Sequence, residues 1–121
     1  MKKVAAIIPA HNEEQTVADV VRVLKASPCI DEVLVISDGS TDKTAEMARE
    51  AGATVHELFS NRGKGEAMLW GVAQSNAPII AFFDADLLGL TPEHVEQLVA
   101  PVVNGEPAMN VGLRDRGVLV T

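Results

Sequence analysis

The sequence predicts an α/β domain with a mostly parallel sheet flanked by helices. Two patterns carry that expectation. Short runs that are apolar at every residue alternate with longer stretches whose apolar residues recur at helical spacing, as in βαβ units. In addition, three polar clusters, at residues 11–14, 38–42 and 84–86, each follow soon after the end of an apolar run. In an open parallel sheet the C-terminal strand ends share one edge, and ligands bind in the crevice beside it.

The elements follow in order. Residues 4–8 are apolar throughout and predict a strand buried on both faces. Asn12 is placed to cap the helix that follows, with Gln15 three residues on in the capping-box position. Val17, Val20, Val21 and Leu24 then share one helical face, and Ser27-Pro28 ends the helix. Residues 32–37 predict the second strand. A turn over residues 38–42 runs into a helix spanning roughly residues 41–51, closed by Gly52. Thr54–Leu58 reads as a third strand, residues 60–64 as a loop and residues 65–74 as a helix. Residues 79–83 form a fourth apolar strand that ends at Asp84. Thr91 as N-cap and Pro92 as first helical residue start a helix whose Val95, Leu98, Val99 and Val102 supply the buried face. Residues 108–113 predict a fifth strand.

Composition narrows the class. At 121 residues the chain fits one domain, 1–121, since a division would leave each half too small for a core. Hydrophobic residues at 47% can fill a core, which excludes disorder. A formal net charge of −7 argues against a general nucleic-acid binder, which sets Lys and Arg against phosphate. No apolar run approaches the roughly 20 residues of a membrane span, and the apolar stretch at the start is too short for a signal peptide. One cysteine, Cys29, excludes an internal disulfide and fits a cytoplasmic protein. The oligomeric state stays open, a homo-oligomer included.

Asp84-Ala85-Asp86 closes the fourth strand. In extended chain, residues i and i+2 point the same way, so both carboxylates face one point and repel unless a cation joins them or one is protonated. Mg²⁺ or Mn²⁺, hard ions with oxygen ligands, answer that need; Mg²⁺ on one or two carboxylates usually takes further ligands from substrate phosphates. The same residues also fit a solvated turn. Asp38 carries a carboxylate suited to a ribose hydroxyl or a base N–H, whereas Ser40, Thr41 and Asp42 read as helix-capping residues. Glu13 either supports the first helix dipole or reaches the ligand's base. In Arg62-Gly63-Lys64-Gly65 the glycines let backbone approach a ligand, the following helix N-terminus favours an anion, and Lys64 is a point charge for a diphosphate. The spacing matches neither a P-loop nor a dinucleotide fingerprint. His11 lies in the crevice. His56 and His94 read as surface or edge residues, Trp70 as packing, and Cys29 as no nucleophile.

Ile7-Ile8-Pro9-Ala10-His11-Asn12-Glu13-Glu14, Ser37-Asp38-Gly39-Ser40-Thr41-Asp42, Asn61-Arg62-Gly63-Lys64-Gly65 and Asp84-Ala85-Asp86, in this order and spacing, resemble family 2 glycosyltransferases. The fold this implies is GT-A, the Rossmann-like architecture of nucleotide-diphospho-sugar transferases. Gly63-Lys64-Gly65-Glu66-Ala67 with Asp84-Ala85-Asp86-Leu87 looks closest to dolichyl-phosphate mannosyltransferase-like and glucosyl-3-phosphoglycerate synthase-like members. Val111-Gly112-Leu113-Arg114 resembles the family's strand after the metal site. The resemblance implies metal-dependent transfer of a sugar from a UDP- or GDP-sugar to an unidentified acceptor. Pro9, Ala10 and Glu13 would border the base and ribose, and Asp38 would hydrogen-bond one of them. Lys64 would sit near the donor, and Asp84 and Asp86, with Ala85 between them, would meet it through Mg²⁺ or Mn²⁺. His11 stands where relatives often carry an aromatic or apolar residue, and Ser37 where many carry an acid, which bears on base selectivity. Family members generally continue past the donor domain with acceptor contacts and, in inverting enzymes, a catalytic base; no candidate for either is read before Thr121. Two other classes compete: a nucleotide-sugar-binding module without turnover, and a sugar-nucleotidyltransferase. The latter needs a Gly-rich loop with a catalytic Arg after the first strand, where residues 9–14 stand instead.

Overall fold

The computed structural model describes residues 4–105, 109–110 and 119–120. Its elements are β1 (Val4–Ala10), α1 (Val17–Lys25), β2 (Glu32–Asp38), α2 (Thr44–Glu50), β3 (Thr54–Leu58), α3 (Lys64–Ala73), β4 (Ile79–Phe82), α4 (Pro92–Val103), β5 (Met109–Asn110) and β6 (Leu119–Val120). They build one sheet in the order β3-β2-β1-β4-β6-β5. β1 to β4 run parallel, with Ala10 opposite Ser37, Asp38 opposite Leu58 and Ile7 opposite Phe82. β6 lies antiparallel to β4, and β5 antiparallel to β6.

Strand alternation divides the interior in two. Val4, Ala6, Ile8 and Ala10 join Val17, Val20, Val21 and Leu24 of α1, Ala48 of α2, and Val95 and Val99 of α4. Ala5 and Ile7 join Leu34, Ile36, Ile80 and Phe82 under Ala67 of α3. Three helices thus cover one face and α3 the other. α3 lies so close that a Cβ on Gly71 would stand 2.6 Å from Cγ2 of Ile7, and only glycine permits that depth. Its outer side is apolar: Leu69 is 71% and Trp70 48% exposed, so Trp70 is less packed than its helical spacing predicts. Chain order sets the crevice. β1, β2 and β3 proceed outward, and α3 then crosses the opposite face so that β4 returns beside β1. The strand order reverses between β1 and β4, which opens a gap at their C-terminal ends.

Local signals held at some helix ends and failed at others. Thr91 caps α4, its hydroxyl accepting the His94 N–H at 3.2 Å, with Pro92 first in the helix. Gly52, at φ +106, closes α2: its N–H reaches the Arg49 carbonyl at 3.0 Å while the Ala53 N–H reaches Ala48 at 3.1 Å, the two bonds of a Schellman ending. Asn12, however, does not cap α1. It adopts φ 52, and its side-chain oxygen accepts the Thr41 N–H at 2.9 Å, on the neighbouring loop; α1 starts only at Val17. α2 starts at Thr44 rather than near residue 41, because Asp42 takes the Thr44 N–H at 2.9 Å. Of the predicted strand over 108–113, Met109–Asn110 is observed and the rest lies outside the described residues, as does the Val111-Gly112-Leu113-Arg114 segment. β6 was not anticipated. Among the described residues no helix is long and apolar enough to cross a membrane.

Candidate functional site

A cleft of about 350 Å³ opens beside the C-terminal ends of β1, β2 and β4. All eight residues singled out from the sequence line it: Pro9, Ala10, Glu13, Asp38, Lys64, Asp84, Ala85 and Asp86. His11, Asn61 and Gly63 join them.

The carboxylate pair is aimed from below. Phe83 donates its N–H to the Ile7 carbonyl at 3.0 Å, which carries the β1–β4 pairing one residue past β4. Beyond it the chain turns at Ala85-Asp86 instead of staying extended; Ala85 is 3% exposed and belongs to the core, while Asp84 and Asp86 on either side of it line the cleft. Asp84 is largely covered and pairs with the Lys64 ammonium, whereas Asp86 is exposed. Among the described residues, Lys64 is the only Lys or Arg lining the cleft. Glu13, half-buried, has its carboxyl raised above the ordinary value, first by burial and then by Asp86, Asp42 and Asp84. A divalent cation relieves such crowding. Among the described residues no three His, Cys, Asp or Glu side chains group to hold a metal by themselves. Two carboxylate oxygens completed by substrate phosphates are a usual set for Mg²⁺, and the residues present fit an ion of that kind.

Asp38 is placed in the cleft as expected but is engaged otherwise. It is 4% exposed; one oxygen accepts the Arg62 N–H at 2.8 Å and the other the Gly63 N–H at 2.9 Å. The carboxylate expected to meet a base or ribose therefore holds the loop before α3, and each oxygen keeps a second lone pair. Gly39 lets this loop pass. At φ +65, a Cβ there would lie 2.5 Å from the Ser60 carbonyl carbon and closer still to the Asn61 nitrogen. His11 and Asn61 complete the crossing: Nδ1 of His11 meets the Asp38 carbonyl at 2.7 Å, and Nε2 meets the Asn61 amide nitrogen at 3.2 Å. Sequence reasoning placed His11 in the crevice but had no sign of these partners, which lie 27 and 50 residues away.

The capping-type residues also stitch the β1 and β2 loops together. The Glu13 N–H donates to the Thr44 hydroxyl at 2.9 Å, the Glu14 N–H to Asp42 at 3.3 Å, and the Lys43 N–H to the Glu14 carboxylate at 3.2 Å. Burial alone would raise the Asp42 carboxyl, but the Thr44 hydroxyl, the Thr44 amide and the Glu14 amide outweigh it and lower it from the ordinary 3.8. A carboxyl lowered in the folded state contributes stability that is present above its unfolded value and lost as pH falls through the folded one. The urea midpoint of the wild type is therefore expected to drop more steeply below pH 3.8 than that of Asp42→Asn. Parallel pH curves for the two proteins would refute this. Elsewhere, burial pushes the thiol of half-buried Cys29 up, which disfavours the thiolate and agrees with its reading as no nucleophile.

Residues 5–120 match the family described as Glycosyl transferase family 2. The chain belongs to that family. Glucosyl-3-phosphoglycerate synthase of Mycolicibacterium smegmatis is 37% identical over 111 residues, 84% of this chain and 37% of the relative. The 4,4'-diaponeurosporenoate glycosyltransferase of Staphylococcus aureus is 37% identical over 103 residues, 81% of this chain and 28% of that one. The crystal structure of glucosyl-3-phosphoglycerate synthase from Mycobacterium tuberculosis superposes with a TM-score of 0.78 at 32% identity, over 87% of this chain and 42% of that one. The same enzyme in complex with Mn²⁺, uridine-diphosphate-glucose and phosphoglyceric acid also gives 0.78, over 87% and 40%. The family 2 chain thus spans less than half the length of these relatives. Its four parallel strands, the helices on both faces and the antiparallel β6 make the GT-A fold that the motifs imply.

Proposed function

We propose that this chain forms the donor-binding part of a glycosyltransferase that moves a sugar from a UDP-sugar to an acceptor, with Mg²⁺ or Mn²⁺ held by Asp84 and Asp86. One observation carries the reading: residues from four separate motifs converge on a single cleft at the β1–β4 switch point, with paired carboxylates on one wall and Lys64 beside them. A bound cation there would neutralise charge as the nucleoside diphosphate departs and the anomeric carbon gains oxocarbenium character. The chain's own residues do the rest. Lys64 offers the diphosphate a second positive charge. Pro9 and Ala10 supply an apolar wall for the base, and Asp38 acts chiefly by fixing the 61–63 segment beside it.

Uridine is favoured over guanosine because complexes of the M. tuberculosis relative contain uridine-diphosphate or uridine-diphosphate-glucose. The acceptor does not carry over, since the two named relatives are called after unlike compounds, a phosphoglycerate and a diaponeurosporenoate. The test is a thermal-unfolding panel of UDP, GDP and CDP with and without Mn²⁺. UDP with Mn²⁺ is expected to raise Tm by several degrees at about 100 times its Kd, corresponding to about 2.7 kcal/mol. The rise should vanish with a chelator. A panel in which no diphosphate shifts Tm in the presence of Mn²⁺ would sink the proposal.

A further inference from the structure

The donor reading leaves the imidazole of His11 without a task, yet the ring joins three loops. Its Nδ1 lies 2.7 Å from the Asp38 carbonyl oxygen. Its Nε2 lies 3.2 Å from the side-chain nitrogen of Asn61 and 3.4 Å from that of Asn12. A carbonyl only accepts, so Nδ1 carries the proton. The orientation of Asn61 has a second support: its oxygen shares the Gly63 N–H, at 3.1 Å, with the Asp38 carboxylate at 2.9 Å, which turns its NH₂ toward the ring. Nε2 therefore accepts. Only the neutral, Nδ1-protonated imidazole makes both bonds. A second proton would set an Nε2–H against the Asn61 NH₂, and turning that amide over would give up its share of the Gly63 N–H and leave that N–H to Asp38 alone. Gly63 directly precedes α3, whose first residue, Lys64, reaches Asp84.

We propose that His11 is a positioning residue of the cleft: as the neutral Nδ1–H tautomer it braces the 61–63 segment and so places Lys64, and protonation of the ring releases that segment. The effect on nucleotide rests on the donor reading; the brace itself is testable without ligand. The charged groups around the ring are Glu13 on its own loop, Asp38 at the end of β2, Arg62 and Lys64 on either side of Gly63, and Asp84 and Asp86 across the cleft. All of them are shared by the wild type and a variant that does not titrate at position 11, so comparing the two isolates the ring.

The experiment follows hydrogen exchange at the Arg62 and Gly63 amides of the ligand-free chain, corrected for intrinsic rate, alongside affinity for UDP with Mn²⁺. It runs from about pH 8 to about pH 5, where imidazoles titrate, on the wild type, His11→Gln and His11→Phe. Glutamine can still offer Asn61 an oxygen but takes no proton. Protection of the two amides in the wild type is expected to fall up to about tenfold as pH drops, the size of one net hydrogen bond, with UDP affinity falling in step. His11→Gln is expected to hold both nearer their high-pH values throughout, and His11→Phe to lack the protection at every pH. Nitrogen spectra of the ring should show the Nδ1–H tautomer at high pH. Equal exchange in the wild type and both variants, or an Nε2–H tautomer, overturns the brace; should His11→Phe fail to fold, His11→Gln carries the comparison. Brace-like exchange in a wild type that binds no UDP at any pH would keep the brace and overturn the donor reading.

Discussion

Asp86→Ala is expected to weaken Mn²⁺-dependent binding of UDP by at least about a hundredfold, since removing even an outer partner of a metal site costs about 10–100-fold. Asp86 is exposed and stands beyond the last residue of β4, so its truncation removes the proposed metal ligand without opening the core. Surface substitutions of this kind shift stability by about 0.5 kcal/mol or less, and the urea midpoint should stay at the wild-type value. Asp84→Asn is a less clean probe, because it also strips the Lys64 ammonium of its partner. Calorimetry of UDP binding with and without Mn²⁺ decides the matter: affinity unchanged in Asp86→Ala, or equal with and without the cation in the wild type, removes the metal assignment.

Gly39→Ala is expected to damage stability and binding together. A left-handed backbone costs an L-residue roughly 1–2 kcal/mol, and an added methyl that must displace its neighbours costs about 1–3 kcal/mol more. The neighbours here are backbone, the Ser60 carbonyl carbon and the Asn61 nitrogen, so no side chain can rotate aside. The 60–61 crossing has to lift off β2, which pulls the Arg62 and Gly63 amides from Asp38. We expect a loss of about 2–5 kcal/mol in urea denaturation and a loss of UDP affinity measurable on whatever fraction stays folded. Unfolding and affinity both at wild-type values would show that the crossing is looser than its packing indicates.

What the sequence displayed depended on the range of the interaction. β1 was legible because every residue from Val4 to Ile8 is apolar, and α1 because Val17, Val20, Val21 and Leu24 repeat at one period; all four helix residues are at most 1% exposed. The carboxylate pair was legible because Asp84 and Asp86 stand two apart directly after an apolar run, although the chain turns at Ala85-Asp86 instead of staying extended. Local competition blurred the helix starts. Asn12 and Asp42 are good caps by type, yet each satisfies a backbone amide next to or across from the helix it was expected to begin. The bonds that shape the cleft join positions 20 to 50 residues apart, such as Lys64 to Asp84, Asp38 to Arg62 and His11 to Asn61, and no periodicity encodes them. Trp70 marks α3 for packing in the sequence, whereas the depth of the helix is set by Gly71, a residue without a side chain to reveal it.

The residue between the two acids is all but closed to solvent. Ala85 belongs to the same buried cluster as Phe83 and as Val95 and Val99 of α4, like a keel beneath the two acids it separates. How far apart those acids stand is consequently decided under the floor of the cleft, by how tightly α4 beds down on the sheet. On the proposed metal assignment, a small ion that insists on near-ideal geometry, as Mg²⁺ does, is expected to register a change of one methylene at Val95 or Val99, although neither carboxylate is altered.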